Sequence, residues 1–138
     1  MGFGMNEKAL EIQARTRTFA AAVIIFCAGL PDSHLTRDIL GQLIDSAGAT
    51  DSNYRAACRS RSPKEFLSKM GVAAEEADES KGWLQLLVAA KQAPIDAAGP
   101  LIQEADELTA IFVKSRKTAE HNQQERAKLT RDIRQRRR

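Results

Sequence analysis

Between Phe66 and Leu87 one apolar or small residue recurs at steps that alternate four and three: Phe66, Met70, Ala73, Ala77, Ser80, Leu84 and Leu87. That rhythm sets all seven on one seam of an α-helix, and the two-residue period of a strand cannot produce it. A helix with one such seam is unstable alone and must bury the seam against other helices. Upstream, Gln42, Ser46, Ala49, Asn53 and Ala56 follow the same rhythm with small and hydrogen-bonding residues. This polar line is expected to face the interior together with Thr16, Glu76 and Glu79. It reads as a hydrogen-bonded network that fixes helix register, with a ligand site as the alternative.

The remaining segments supply the other helices. Asn6 is a suitable cap for a helix to Ala28, whose inward seam is Ile12, Thr16, Phe19, Val23, Phe26 and Leu30. Gly29 and Pro31 end it. A second helix is expected from Ser33 to Arg61, although the run from Ser46 to Asn53 has poor helix propensity and needs packing to hold it. Ser62, Pro63 and Glu65 form a cap, a first-turn proline and a first-turn acid, so a third helix starts there and runs to about Gln92. A fourth is expected from Asp96 or Gly99, with its seam at Leu101, Ala105, Leu108, Phe112, Ser115 and Ala119. Phe19, Val23, Phe66, Met70, Ala77, Leu84, Leu87, Leu108 and Phe112 are the expected core. The fold class is therefore all-α, an antiparallel up-down-up-down four-helix bundle over residues 1–120. Residues 121–138 form a basic extension, frayed or disordered, because only Leu129 and Ile133 continue the seam.

Composition matters mainly through charge. Residues 114–138 hold ten Lys or Arg and three acids, whereas residues 1–113 hold eleven and fifteen, so a net of +7 stands against −4. A polyanionic partner suits such a basic end. Cys27 and Cys58 have no framework spacing and read as reduced thiols in a cytoplasmic protein. The run Phe19 to Leu30 follows Arg15 and Arg17 like a signal-peptide core, but it is too short to span a membrane and reads better as the inward part of the first helix.

Chemistry-bearing constellations are sparse. His34 and His121 are isolated and read as surface histidines, and Glu75, Glu76, Asp78 and Glu79 lack the Glu-x-x-His word of a di-metal bundle. No catalytic residue, cofactor or metal site is assigned. Arg55, Arg59, Arg61, Lys64 and Lys69 gather around the turn between the second and third helices, as a phosphate-binding patch or as a solvated face paired with nearby acids. Arg131, Arg134, Arg136, Arg137 and Arg138 provide a second group of phosphate ligands. No aromatic residue accompanies the tail, so base stacking is not expected there.

The string NYRAACRSRSPKEFLSKMGVAAEEADESKGWLQLL resembles the core of the four-helix-bundle proteins encoded in intervening sequences of bacterial 23S rRNA genes. RTRTFAAAVIIFCAGLP before it and EADELTAIFVKSRKTA after it fit the same pattern, over roughly residues 7–120. The resemblance implies the bundle topology, a homopentamer, and kinship with an accessory protein of diversity-generating retroelements that binds a reverse transcriptase and nucleic acid. Asp45 stands where that pattern usually has a basic residue, and Thr50, Asp51 and Ser52 replace a small-apolar word. Two functions follow as expectations. One is a non-enzymatic oligomeric scaffold that binds RNA or DNA through its backbone, and the other is a protein-only adaptor.

Overall fold

The computed structural model describes residues 6–138, so the first five positions of the expected bundle lie outside it. Among the described residues the chain is all-α: α1 Glu7–Ala28, α2 His34–Cys58, α3 Pro63–Ala89 and α4 Ile95–Arg136. Side chains fix three of the four starts. Asn6 accepts from the Ala9 amide at 2.8 Å, Ser33 from Leu35 at 3.2 Å and Ser62 from Glu65 at 3.1 Å, each satisfying an amide that the first turn leaves open. α3 stops at Ala89 rather than Gln92. Lys91 takes a positive φ of 60°, its amide donates to the Val88 carbonyl, and the Gln92 amide reaches back to Leu87 at 2.8 Å, which closes the helix end. α4 begins earlier than Gly99, capped by the extended Pro94, and takes Gly99 and Pro100 into its opening turns.

Contacts along α3 and α4 step in opposite senses. Gly71 faces the Arg116 side chain, and ten residues further along α3 Lys81 bonds Asp106 at 3.0 Å, ten residues back along α4. α3 makes the broadest contacts, on one side with α2 and on the other with α4, while α1 and α4 meet over a narrower seam. Arg15 bridges that seam to Glu104, its Nε 3.1 Å from the carboxylate, with Glu107 at 3.6 Å. Paired to Glu104 and Glu107, the Arg15 guanidinium is held above its usual pKa.

The core is the seam that the sequence spells, with two revisions. Val23, Ala77, Leu84, Leu87, Leu108 and Phe112 have no exposed surface, and Phe19 and Met70 almost none. Phe66 packs against the core but is only partly buried, because it lines a cavity shared with Lys8 of α1 and residues of α4. The second revision concerns α2. Its inward line is Leu43, Ala47, Thr50, Tyr54 and Ala57, one register step from the predicted polar line. Gln42 is exposed, and half-buried Asn53 donates to its own helix at Ala49. Tyr54 stacks on Phe112 with ring centroids 5.2 Å apart, and burial raises the pKa of its hydroxyl, with Cys58 adding to the shift.

Of the predicted polar line only Ser46 is buried. Its hydroxyl meets that of Ser80 at 2.8 Å, so α2 and α3 are joined through two small side chains. The weak helix formers after it bond backward: Thr50 Oγ1 donates to the Ser46 carbonyl at 2.8 Å. Beside them, Asp51 accepts from Thr16 Oγ1 at 3.0 Å and from Arg17 Nε at 2.9 Å, tying α1 to α2. Packing and these bonds hold a segment that propensity alone would not keep helical.

Two mutational outcomes follow. Leu84→Ala should cost about 2–5 kcal/mol in denaturant unfolding, since it opens a cavity among fully buried neighbours. Asp51→Ala should cost about 1–3 kcal/mol by removing the acceptor that Arg17, Arg55 and Thr16 share, with Thr16 keeping only the Gln13 carbonyl, and Thr16→Val added to it should cost less than the sum of the two singles.

Candidate nucleic-acid interface

The turn between α2 and α3 and the far part of α4 lie at one end of the molecule. Pro63 at the start of α3 borders a small cavity with Ala119, Asn122, Gln123 and Arg126 of α4. A larger cavity beside it, of about 490 Å³, is lined by Lys8 of α1, Phe66 of α3, and Lys114, Thr118 and Asn122 of α4 among others. Neither cavity has an acidic lining residue. Two basic segments far apart in sequence thus become neighbours, and Lys8, Lys114 and Arg126 join them.

Beyond that end α4 continues as helix to Arg136, through the basic extension. From Gln124 onward every residue is exposed. The segment is rich in good helix formers (Gln, Glu, Arg, Ala, Lys and Leu), and it extends a helix already nucleated by the core, so it needs no nucleus of its own. From Ala119, level with the α2–α3 turn, to Arg136 is 17 residues, a reach of about 25 Å at the helical rise.

The individual basic residues differ in what they offer. Arg59, Arg61 and Lys64 are exposed, and Lys69 is half-buried. Arg61 engages Glu65 through its backbone amide at 3.2 Å, and no ion pair involves its guanidinium among the described residues. Arg55 is different: it turns toward Asp51 at 3.5 Å, and its Nε is buried without a hydrogen-bond partner. The structure therefore places Arg55 in the α1–α2 polar junction, apart from the exposed cations of the turn. Arg131, Arg134, Arg136, Arg137 and Arg138 all lie exposed on the arm or at its tip.

The arm has two faces. Lys128, Arg131, Arg134 and Arg138 are spaced three, three and four residues apart, so they share one side. Arg126, Leu129, Ile133 and Arg137 follow the seam of α4 on the other, with Leu129 61% and Ile133 45% exposed. Cations on the first side have no apolar neighbours among them and present their full charge to solvent.

The sequence did not single out the junction around Asp51, whose signal was the line Leu43, Ala47, Thr50, Tyr54 and Ala57. That line carries two large apolar residues, and so is the stronger candidate for the buried face. Elsewhere, half-buried Glu76 has its pKa raised, chiefly by desolvation and then by repulsion from Glu79, Glu75 and Asp45. An apolar groove of about 800 Å³ opens at the other end, between Ile25, Leu30, Val88 and Ile95. Among the described residues no group of three or more His, Cys, Asp or Glu side chains could hold a metal ion, and no helix is long and apolar enough to cross a membrane. Cys27 is buried, Cys58 half-buried, and both are free thiols.

The fold has a solved counterpart. It is similar to the crystal structure of a protein of unknown function from the S23 ribosomal protein family of Bacteroides thetaiotaomicron VPI-5482, with a TM-score of 0.69. The two share 19% sequence identity over 80% of this chain and 98% of the other, a likeness of fold. No family model matches the sequence, and no curated protein matches it.

Proposed function

We propose that the protein is a non-enzymatic, self-associating antiparallel up-down-up-down helical bundle that binds RNA or DNA through backbone phosphates at its basic end. The observation that carries this reading is the meeting of the α2–α3 turn and the outgoing α4 at one end, around acid-free cavities. Exposed Arg59, Arg61 and Lys64 form the base of the surface, and Lys128, Arg131, Arg134 and Arg138 form one side of the arm. Guanidinium groups bind phosphate oxygens in pairs, and a row of them along a helix follows a backbone without reading bases. No aromatic residue lies on the arm, so recognition is electrostatic and tolerant of sequence. The resemblance to the rRNA intervening-sequence proteins, whose implied assembly is a pentamer, supports self-association. So do Trp83 and Leu67, which stand off the main seam of α3.

A protein-only adaptor is the competing function, and salt separates the two. Neutralising Lys128, Arg131, Arg134 and Arg138 to Gln leaves Leu129 and Ile133 in place, so the fold and any apolar contact of the arm are untouched. Binding of a duplex or single strand should weaken, and its slope against salt should flatten by about 0.9 per lost contact to duplex DNA or 0.7 to single strands. A wild-type protein that binds neither RNA nor DNA at low salt would leave the adaptor reading.

A further inference from the structure

Leu129 and Ile133 are the unexplained residues of the arm. They continue the buried seam of α4 into solvent, where nothing in the chain covers them. Arg126 lies one turn before Leu129, and Arg136 and Arg137 lie one turn after Ile133, so the apolar pair is bracketed by cations on the same face. Such a face fits a groove that is apolar at its middle and acidic at both ends.

The outer groove between α2 and α3 has that character. On α3 the stripe is Glu76, Glu79, Trp83 and Leu86, and on α2 Asp45 lies near enough to add to the raised pKa of Glu76, with Asp38 two turns earlier on the same side of α2. No ion pair involves Asp38, Asp45, Glu76 or Glu79 among the described residues, although Asp51, Asp78, Glu104 and Asp106 each have one. Trp83 is half-buried, its indole N–H has no acceptor, and Leu86 is 45% exposed. The Ser46–Ser80 contact sets the register of the two helices, which puts Asp38 level with about Val88. The acids at the two ends are then about 18 Å apart along the groove, and Arg126 and Arg137 are about 16 Å apart along the arm.

We infer that the α4 arm of one copy docks by its Leu129–Ile133 face along the α2–α3 groove of a second copy, with Arg126 and Arg137 on the acids at the two ends of that groove. The inference rests on the self-association reading and gives it a surface. Charge complementarity selects the occupant, since the groove's acids lack cations in their own chain and the arm carries the unmatched cations. The regular helix to Arg136 carries the arm away from its own α2–α3 face, so the groove it meets belongs to another molecule. The apolar groove at the opposite end is a poorer receptor, because Lys91 lines it and no acid does. Docking this way leaves Lys128, Arg131, Arg134 and Arg138 on the outer side, free for phosphate.

The test is sedimentation equilibrium of nuclease-treated full-length protein at tens of micromolar, with circular dichroism confirming the helix content of each variant. Leu129→Glu with Ile133→Glu alters only exposed positions and should weaken association by about tenfold or more. Glu76→Lys with Glu79→Lys should do the same, as should Arg126→Glu with Arg137→Glu. Mixing the last two variants should restore association, because each supplies the charge that the other now lacks. If the wild type associates and these variants associate equally well, the arm is not the contact, although self-association stands. If the wild type is a monomer throughout, self-association and the docking inference both fall.

Discussion

Burial of α3 between α2 and α4 is the constraint on which the rest of the structure depends. Its seam has small residues at Ala73, Ala77 and Ser80, all fully buried, with Met70 and Leu84 beside them. Small side chains let neighbouring helices approach closely, while the large ones fill the space between layers. Lys81 on its flank holds Asp106 at 3.0 Å, a half-exposed pair that adds direction rather than much stability. Because α3 is covered on two sides, α1 is left with the narrower contact. Side chains such as Ile24 and Ile25 on the far side of α1 are exposed.

Within that apolar frame the polar interior determines register. A helix sliding by one turn past its neighbour would keep apolar residues facing apolar residues, at modest cost. It would also separate Ser46 from Ser80 and Thr16 from Asp51, so that each hydroxyl would keep only a carbonyl of its own helix, at Leu43, Glu76 and Gln13, and Asp51 would lose its α1 donors. The loss of these cross-helix bonds falls on the wrong alignments, which favours this one. Asp51 is buried, yet Arg17 and Arg55 both reach it from more exposed positions, so its charge is matched without a fully desolvated cation.

Helix number, helix starts and most of the core were legible in the sequence because they rest on local chemistry. Ser62 followed by Pro63 and Glu65 can mean little except a helix start, and the four-three rhythm from Met70 to Leu87 needs no tertiary knowledge. The inward face of α2 was less legible. Two lines run one residue apart along the helix, and the polar one drew attention from the line of Leu43 and Tyr54. The partner of Asp51 lies 35 residues away on α1, and no local pattern announces such a pair. At the basic end, charge counts showed which residues were unbalanced. Arg55 stands four residues after Asp51 on one helix, a pairing that local spacing allows, but charge counts could not show that Lys8 and Lys114 would join the α2–α3 turn, since that depends on how helices align in space.

The length of α4 sharpens what the arm demands of its surroundings. Lys128, Arg131, Arg134 and Arg138 repel one another at helical spacing, which disfavours the helix they stand on. Glu125 and Asp132 offer limited compensation, and beyond Gln123 no core contact contributes. A segment in this position is stabilised by whatever brings anions to its outer side or apolar cover to its inner side. The two faces therefore report to each other through the helix itself. An occupant on one side orders the backbone that presents the other, and the second occupant then binds without bearing that ordering entropy. By the same logic, phosphates on the outer face reduce the mutual repulsion of the cations and favour the helical arm that presents Leu129 and Ile133. On the proposed reading, nucleic-acid binding and self-association would reinforce one another, because each would use one side of the same helix.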